Sequence, residues 1–463
     1  MKATQNHKTI LLILLTLTQL LVIIDGSIVN IALPALKDTL HFSNTSLQWV
    51  ITAYILSFGG ALLLGGRLAD RFGRRKLLIV GTSGFTIASL LLGLSQTSLM
   101  LITLRGVQGV SAAIMTSAAL AILLAAFREG HERNRALSIW GLASSAGGAL
   151  GVLLGGVLTE QWGWQSIFLI NVPVGMIILI GIMKYLQQDT VKSTVRSLDV
   201  PGAITITGGI VSLVYALSQA PLIGWTAPAT VISAIAGIIL CAGFFFIEMR
   251  SRHPLIPLSI FKIRSVSAGN IAMLILTAIG MGQFYFNSLY LQNILHYSSA
   301  DAGLAFLPIP IAIAVTIAFV PRLLKRFGYR HVLVAGTILM GAGACVLTTF
   351  TQTTSYVTAI VPAFLLIGAG FGSAVVATNV AATSGVAHEQ SGIVSGLVNT
   401  SQQVGGALGI AVLTLLASGH ASSNIIDMPG YHMAYLGIVG LVALLLIVSL
   451  GLRGLPNQST DAH

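Results

Sequence analysis

Long apolar runs separated by short polar gaps fill the chain from one end to the other. A helix that crosses a bilayer needs roughly 20 mostly apolar residues. The runs that meet this requirement lie at residues 10–35, 47–67, 77–95, 99–124, 136–158, 165–184, 199–219, 228–248, 268–291, 303–323, 331–351, 356–381, 395–417 and 432–452. The pattern therefore predicts an all-α integral membrane protein with about fourteen transmembrane helices.

Lysine and arginine residues fall on alternate sides of these runs. If both ends of the chain lie inside, every basic residue is in an inner segment except Lys37, in an outer loop, and Arg105, inside a helix. Basic residues concentrate in the cytoplasmic loops of membrane proteins. The alternation supports the helix count and predicts a multi-pass protein of the plasma or inner membrane, with both termini cytoplasmic.

Composition excludes several classes of function. Only 8% of the residues are charged, against about 25% in soluble domains. The net charge is +11, but the basic residues lie in short gaps, so we expect the lipid bilayer and not nucleic acid as a partner. Cys241 and Cys345 form no disulfide or metal-ligand pattern. The sequence has no G-x-x-x-x-G-K-[ST] loop and no polar stretch long enough for a catalytic domain, so we expect no enzyme, cofactor or metal.

Two segments of the first half recur in the second half. RLADRFGRR at 67–75 parallels RLLKRFGYR at 322–330, an offset of 255, and GGALG at 147–151 recurs at 405–409, an offset of 258. Repeated halves are typical of secondary transporters, whose substrate site lies between them. The predicted organisation is an N-terminal six-helix bundle at 1–190, two extra transmembrane helices at 191–262 and a C-terminal six-helix bundle at 263–463.

Asp25 and Arg105 are the clear ionisable residues inside the predicted spans. Each costs at least about 2.5–3.5 kcal/mol at mid-bilayer, so such residues are functional by default. Counted from the outer helix ends at 1.5 Å per residue, their depths differ by about 7 Å, which permits an ion pair. Burial favours the neutral carboxyl and a nearby cation favours the charged one, so Asp25 can exchange a proton as the conformation changes. The alternative is a buried pair that only fixes helix packing.

Three further features suggest moving or binding parts. Asp70 lies beside a cationic run, where Arg74 and Arg75 can pair with it. Glycines of the fifth span leave one helix face bare, for either sliding or static close packing; they are Gly147, Gly148, Gly151, Gly155 and Gly156. Polar and aromatic residues that suit a cavity for an amphiphilic substrate are Asn30, Gln108, Gln283, Tyr285, Phe286, Asn287, Asn399 and Gln403.

Four motifs in order resemble the major facilitator superfamily, specifically its fourteen-helix drug:proton antiporter branch. GRLADRFGRR at 66–75 resembles the signature loop between helices two and three, and LRGVQG at 104–109 the helix-four motif. DGSIVNIALP at 25–34 is similar to the helix-one motif, and WQSIFLINVPVG at 164–175 to the start of helix six. The resemblance covers nearly the whole chain.

The resemblance implies roles for particular residues. Asp25 and Arg105 would serve proton coupling. Conformational gating would involve the signature loop and the helix-five glycines, namely Gly66, Asp70, Arg71, Gly73, Arg74, Arg75, Gly151, Gly155 and Gly156. The chain departs from the family pattern twice: the proline expected in the helix-five motif is missing at 151–156, and Lys325 stands where the repeat would place an acid.

Together these features predict a monomeric, proton-coupled antiporter that exports amphiphilic drugs or toxic compounds by alternating access. Its partners would be a small-molecule substrate and protons. One alternative is a narrow-substrate exporter of a metabolite or lipid on the same fold. Another is a membrane protein that does not transport, although the buried charges at Asp25 and Arg105 disfavour it.

Overall fold

A computed structural model describes residues 2–128, 131–186, 200–251, 258–384, 391–418 and 426–452. These ranges form helices joined by short connections and contain no strand. The first eight helices are α1 (Lys2–Leu40), α2 (Asn44–Leu47), α3 (Trp49–Phe72), α4 (Arg74–Gly93), α5 (Ser98–Ala126), α6 (His131–Trp162), α7 (Ser166–Leu169) and α8 (Asn171–Tyr185). The others are α9 (Val200–Ile223), α10 (Pro228–Arg250), α11 (Arg264–Asn293), α12 (Ser299–Ala305), α13 (Pro308–Leu347), α14 (Val361–Thr383), α15 (Ser391–Ser418) and α16 (Met428–Gly451).

Membrane-length helices dominate this architecture. Within the described ranges, eleven helical stretches are long and apolar enough to cross a membrane, and two more, Trp49–Leu62 and Pro201–Leu217, are apolar but shorter. The all-helical membrane fold is therefore confirmed, whereas the predicted count of fourteen is not. One stretch, Ser299–Leu347, covers two predicted spans, because the backbone is interrupted at Gly328 without ending the helix.

Glycine makes the sharp turn between α3 and α4. Gly73 has a φ of 96°, and its N–H donates to the carbonyl of Ala69. Gly328, at the equivalent place in the repeated segment, has a φ of 75° inside α13. Positive φ strains any residue that has a Cβ. The shared conformation therefore supports the internal repeat, even though only the first copy separates two helices.

The chain divides into two compact units. One comprises the described residues 2–251 with 287–304, and the other comprises 258–286, 305–384, 391–418 and 426–452. In the first unit α1 packs along α6, α5 packs between α3 and α4, and α8 covers α4. In the second unit α13 packs on α14 and α16, and α15 packs on α16.

The pair α9 and α10 belongs to the first unit. These helices pack closely on one another, and α9 also contacts α3. At that contact the rings of Trp49 and Tyr215 lie 6.2 Å apart. The side chain of Thr207 fills the space beside Gly60, where a Cβ would collide with it.

Candidate functional site

A fully buried ion pair joins α1 to α5 in the first unit. The Nη1 of Arg105 donates to Oδ2 of Asp25 at 2.8 Å, and neither side chain is more than 1% exposed. The structure therefore brings together the two charged residues that the sequence placed at similar depth. Removing one partner of such a pair would leave an uncompensated charge, which typically costs about 3–5 kcal/mol.

Two amides complete the surroundings of the Asp25 carboxylate. Nε2 of Gln108 donates to Oδ1 at 2.9 Å, and Nδ2 of Asn171 donates to the same oxygen at 2.6 Å. Ser89 Oγ on α4 accepts from Gln108 at 2.9 Å. Helices α1, α4, α5 and α8 thus meet at one carboxylate, which accepts three hydrogen bonds.

The guanidinium of Arg105 is held on several sides. Its Nε donates to the carbonyl of Val50 at 2.9 Å, and Nη1 donates also to Oε1 of Gln108 at 2.6 Å. Its Cζ lies 4.2 Å from the ring centroid of Tyr54 and 5.8 Å from that of Phe168. Stacking on aromatic rings and a planar donor set suit an arginine and not a lysine.

Local sequence explains why these groups meet. Gln108 lies three residues after Arg105 and so shares its helix face. A Cβ at Gly109 would collide with the carbonyl of Tyr54, so glycine lets α5 approach α3 closely. Gly175 does the same for α8, because a Cβ there would collide with Thr86 on α4.

Part of this cluster was not predicted from the sequence. Gln108 was predicted to line the substrate cavity, whereas the structure places its amide on Asp25. No role was predicted for Asn171, Ser89 or Tyr54. Asn171 lies in the 164–175 motif, and an amide in so apolar a segment was the available signal.

Comparison with known proteins identifies the family. The model of the Major Facilitator Superfamily matches residues 15–410. The chain belongs to this superfamily. It is 38% identical to the puromycin resistance protein pur8 of Streptomyces alboniger, over 97% of this chain and 92% of that protein. It is 37% identical to the cephamycin export protein CmcT of Amycolatopsis lactamdurans, over 93% and 89% of the two chains.

A solved structure agrees on the fold. A peptide transporter of the POT group, crystallised with sulfate, superposes with a TM-score of 0.71 at 15% identity, over 96% of this chain and 93% of that one. Superfamily membership makes the chain a multi-pass membrane transport protein for small molecules and not an enzyme. The predicted resemblance to a drug-efflux branch is confirmed by the resistance and export proteins among its relatives.

The superfamily signature loop contacts the ends of other helices. Arg74 Nη1 donates to the carbonyl of Ala121 on α5 at 3.1 Å, and Arg75 Nη2 donates to the carbonyl of Met183 on α8 at 3.2 Å. Met183 lies in the last turn of α8, where carbonyls lack partners and cations are favoured. Arg71 is exposed, with its Cζ 5.4 Å from the Phe72 ring. Of Gly66 and Asp70 only the helical backbone is described, so the predicted side-chain role of Asp70 lies outside the described part.

The helix-five glycines lie where α6 approaches its neighbours most closely. A Cβ at Gly151 would collide with Ser27 Oγ on α1 and lie 2.8 Å from the carbonyl of Ile24. A Cβ at Gly155 would lie 2.6 Å from the carbonyl of Ile28, and one at Gly156 would lie 2.5 Å from the carbonyl of Ser299. Their bare surface is therefore used for helix contact, as the spacing predicted, whereas Gly148 has nothing within 4 Å.

The residues predicted to line a cavity have several different surroundings. Asn30 is buried, and its Nδ2 donates to carbonyls of its own helix. Gln283 and Asn287 are buried, Gln403 is half-buried and Asn399 is exposed. Tyr285 and Phe286 are fully buried, with ring centroids 5.2 Å apart, and the Phe286 ring also lies 6.3 Å from that of Tyr431.

A cleft of about 510 Å³ opens between α1 and α6. Its walls are mainly apolar, and its charged members are Lys8, Glu132 and Arg135. Lys8 Nζ and Glu132 Oε1 form an ion pair of 2.7 Å. Hydrogen bonds from Lys8 and from the backbone N–H of Arg128 lower the pKa of Glu132 below its usual range. The cleft has the shape and polarity for an amphiphile, with an apolar body and a polar end.

No group of three or more His, Cys, Asp or Glu residues comes close enough to hold a metal ion anywhere in the described ranges.

Proposed function

We propose that the chain is a proton-coupled antiporter that exports amphiphilic drugs. The observation that carries the proposal is the fully buried Asp25–Arg105 pair, caged by amides among membrane helices. A buried carboxylate in a transport protein is the natural carrier of a proton, because an apolar residue would insert into the membrane at lower cost. The names of the resistance and export proteins related to the chain support drugs as cargo.

Protonation would work by releasing Arg105. A neutral Asp25 no longer compensates the guanidinium, whose other contacts are Val50, Gln108 and the rings of Tyr54 and Phe168. Because a buried unpaired cation is costly, the helices that carry the pair, α1 and α5, are driven toward another arrangement. Alternation between two such arrangements is what alternating access requires.

The driving force is sufficient for drug export. A proton that moves inward gains about 2.3 kcal/mol per 100 mV of membrane potential. At 1.4 kcal/mol per decade, one proton per cycle sustains roughly a fiftyfold gradient of a neutral cargo.

The proposed helix organisation and membrane orientation follow from the apolar runs and the basic loops of the sequence. Two six-helix halves, at 1–190 and 263–463, would be joined by two extra helices at 191–262. The protein would act as a monomer in the plasma membrane with both termini in the cytoplasm, where the basic loops favour them.

A second candidate is a narrow-substrate exporter on the same fold. It is favoured by the relatives' names, because pur8 and CmcT are each named for one compound. Transport of puromycin without transport of ethidium or chloramphenicol would move this candidate ahead.

The deciding experiment compares wild type with Asp25→Asn in proteoliposomes that carry an imposed pH gradient. We expect wild type to move ethidium or puromycin against its gradient and to stop when a protonophore is added. Asp25→Asn should lose about 100-fold of uphill transport, as is typical when a proton-transferring group is removed. Asp38→Asn, an exposed acid near the end of the same helix, is the matched control. Full proton-driven transport by Asp25→Asn would refute the coupling role.

A further inference from the structure

In the side-chain amide of Asn171, the nitrogen makes a hydrogen bond and the oxygen makes none. Its side chain is fully buried at the start of α8, and its Nδ2 donates to Oδ1 of Asp25 at 2.6 Å. Its own carbonyl oxygen, Oδ1, is buried without a hydrogen-bond partner. A buried polar atom without a partner costs stability in this state, so its presence calls for an explanation.

Around Asp25, each acceptor atom of the other polar side chains already takes part in at least one hydrogen bond. Arg105 is a donor only. Gln108 donates to Asp25 through Nε2, and its Oε1 already accepts from Arg105 at 2.6 Å. Ser89 Oγ donates to the carbonyl of Phe85 at 2.8 Å and accepts from Gln108. In the described cluster, the unoccupied acceptor therefore belongs to Asn171.

Protonation of Asp25 changes what its carboxyl needs. When a proton from water binds Oδ1, an O–H bond forms and the carboxylate becomes a neutral acid, which must donate a hydrogen bond. The Nδ2 of Asn171 then faces a donor. The nitrogen and oxygen of an amide have nearly the same size, so half a turn of the amide fits the same space and presents the vacant Oδ1.

We propose that Asn171 is a positioning residue for the coupling proton: it donates to Asp25 when that residue is charged and, with its amide turned, accepts from Asp25 when that residue is protonated. The inference rests on the proposed coupling role of Asp25. It also gives α7 and α8 a part in coupling, because Phe168, three residues earlier, contacts the guanidinium of Arg105.

The midpoint of a pH profile would report the protonation of Asp25, which depends on the groups that face its carboxyl. The groups that face Asp25 are charged Arg105 on α5, titratable Tyr54 on α3, and the uncharged Ser89 on α4, Gln108 on α5 and Asn171 on α8. Removing the Asn171 amide leaves charged Asp25 with two donors, Arg105 and Gln108. It leaves the buried O–H of protonated Asp25 without an acceptor, and an unpaired buried donor costs more than the loss of one hydrogen bond out of three, so the protonated state loses more.

The test measures the pH profile of uphill ethidium transport in proteoliposomes for wild type and Asn171→Leu, a change that keeps the branching at Cγ and removes both polar ends. We expect the midpoint to move to more acidic pH by about one unit, a tenfold change in proton concentration. Asn171→Gln, which restores a donor and an acceptor, should move the midpoint back toward wild type. Asn171→Ala should show the same acidic shift and serves if the leucine variant does not fold.

A matched control comes from the second unit. Asn270 is a buried amide that donates to the carbonyl of Val266 and accepts from Ser401, with no ionisable partner among these contacts. Asn270→Leu should leave the midpoint unchanged even if it lowers the rate.

Other outcomes overturn the inference. A lowered rate with an unmoved midpoint would mean that Asn171 only packs, and an alkaline shift would mean that donation to charged Asp25 outweighs acceptance. Different results would contradict the proposed function and this inference. Unaltered proton-driven transport by Asp25→Asn would contradict the coupling role of Asp25. If Asp25→Asn loses transport but the midpoint of Asn171→Leu is unmoved, only the role of Asn171 is contradicted.

Discussion

At the scale of single residues, the shape of the Arg105 side chain matters as much as its charge. The guanidinium donates to Val50, Gln108 and Asp25 and lies on the Tyr54 ring. A lysine ammonium keeps the charge, but it is a compact, strongly hydrated group that lacks the planar fork and the stacking face. One compact ammonium cannot reach the carbonyl of Val50, Oε1 of Gln108 and Oδ2 of Asp25 with the geometry that the fork gives.

We therefore expect Arg105→Lys to be a severe change. Uphill transport should fall at least about tenfold, and the free energy of unfolding should fall by about 1–3 kcal/mol for the buried acceptors left unpaired. Transport in proteoliposomes and thermal unfolding in detergent measure the two effects. Arg264→Lys, an exposed arginine at the start of α11, is the control. Wild-type transport by Arg105→Lys would show that a positive charge alone suffices.

The residues of this cluster were predictable to different degrees. Asp25 and Arg105 were found because a charge in an apolar run is visible in sequence and helical rise gives its depth. The placement of Gln108 depends on which face of α5 meets α1, which apolar periodicity leaves undetermined in a helix that is apolar all round. The contact of Asn171 depends on the break between α7 and α8 at Ile170, inside a segment read as one continuous span.

At the scale of helices, α6 contains two glycines, Gly148 and Gly151, whose surroundings differ. Gly151 faces α1, where a Cβ would collide with Ser27, whereas Gly148 faces open space. Because packed helices resist added volume, Gly151→Ala should lower the free energy of unfolding by about 1–3 kcal/mol. Gly148→Ala should be neutral or stabilising by up to about 1 kcal/mol, since alanine favours helix more than glycine does.

The same pair separates the two interpretations of the glycine face. Thermal unfolding and uphill transport are measured for both variants. Loss of transport by Gly151→Ala with little loss of stability favours α6 sliding against α1, and parallel losses favour static packing. Equal stability of the two variants would contradict the close contact between α1 and α6.

The ends of the helices could not be predicted from the sequence as well as their positions. Apolar length located the membrane helices, but α1 extends over Lys2–Leu40, well beyond the predicted 10–35. Polar residues at its ends are compatible with helix and lie outside the apolar run, so hydropathy does not count them. The spans predicted at 303–323 and 331–351 are separated by a backbone interruption at Gly328, with its φ of 75°, yet the flanking helical segments remain joined in α13.

At the scale of the whole molecule, the charge of the cargo determines which force drives export. If one proton enters for each cargo molecule that leaves, export of a neutral compound moves one net charge inward and gains from both the membrane potential and the pH gradient. Export of a monovalent cation in exchange for one proton moves no net charge. The potential then does no work on the cycle, and only the pH gradient drives it.

The proposed coupling through Asp25 therefore makes a prediction about two drugs. In proteoliposomes, transport of chloramphenicol, a neutral amphiphile, should respond to an imposed potassium diffusion potential as well as to a pH gradient. Transport of ethidium, a monovalent cation, should respond to the pH gradient alone. A potential of about 100 mV should raise the chloramphenicol gradient by up to roughly fiftyfold and leave the ethidium gradient unchanged. Ethidium export that follows the potential would require more than one proton per cycle and hence a second carrier besides Asp25, for which Glu248, buried near the end of α10, is the carboxylate to replace next.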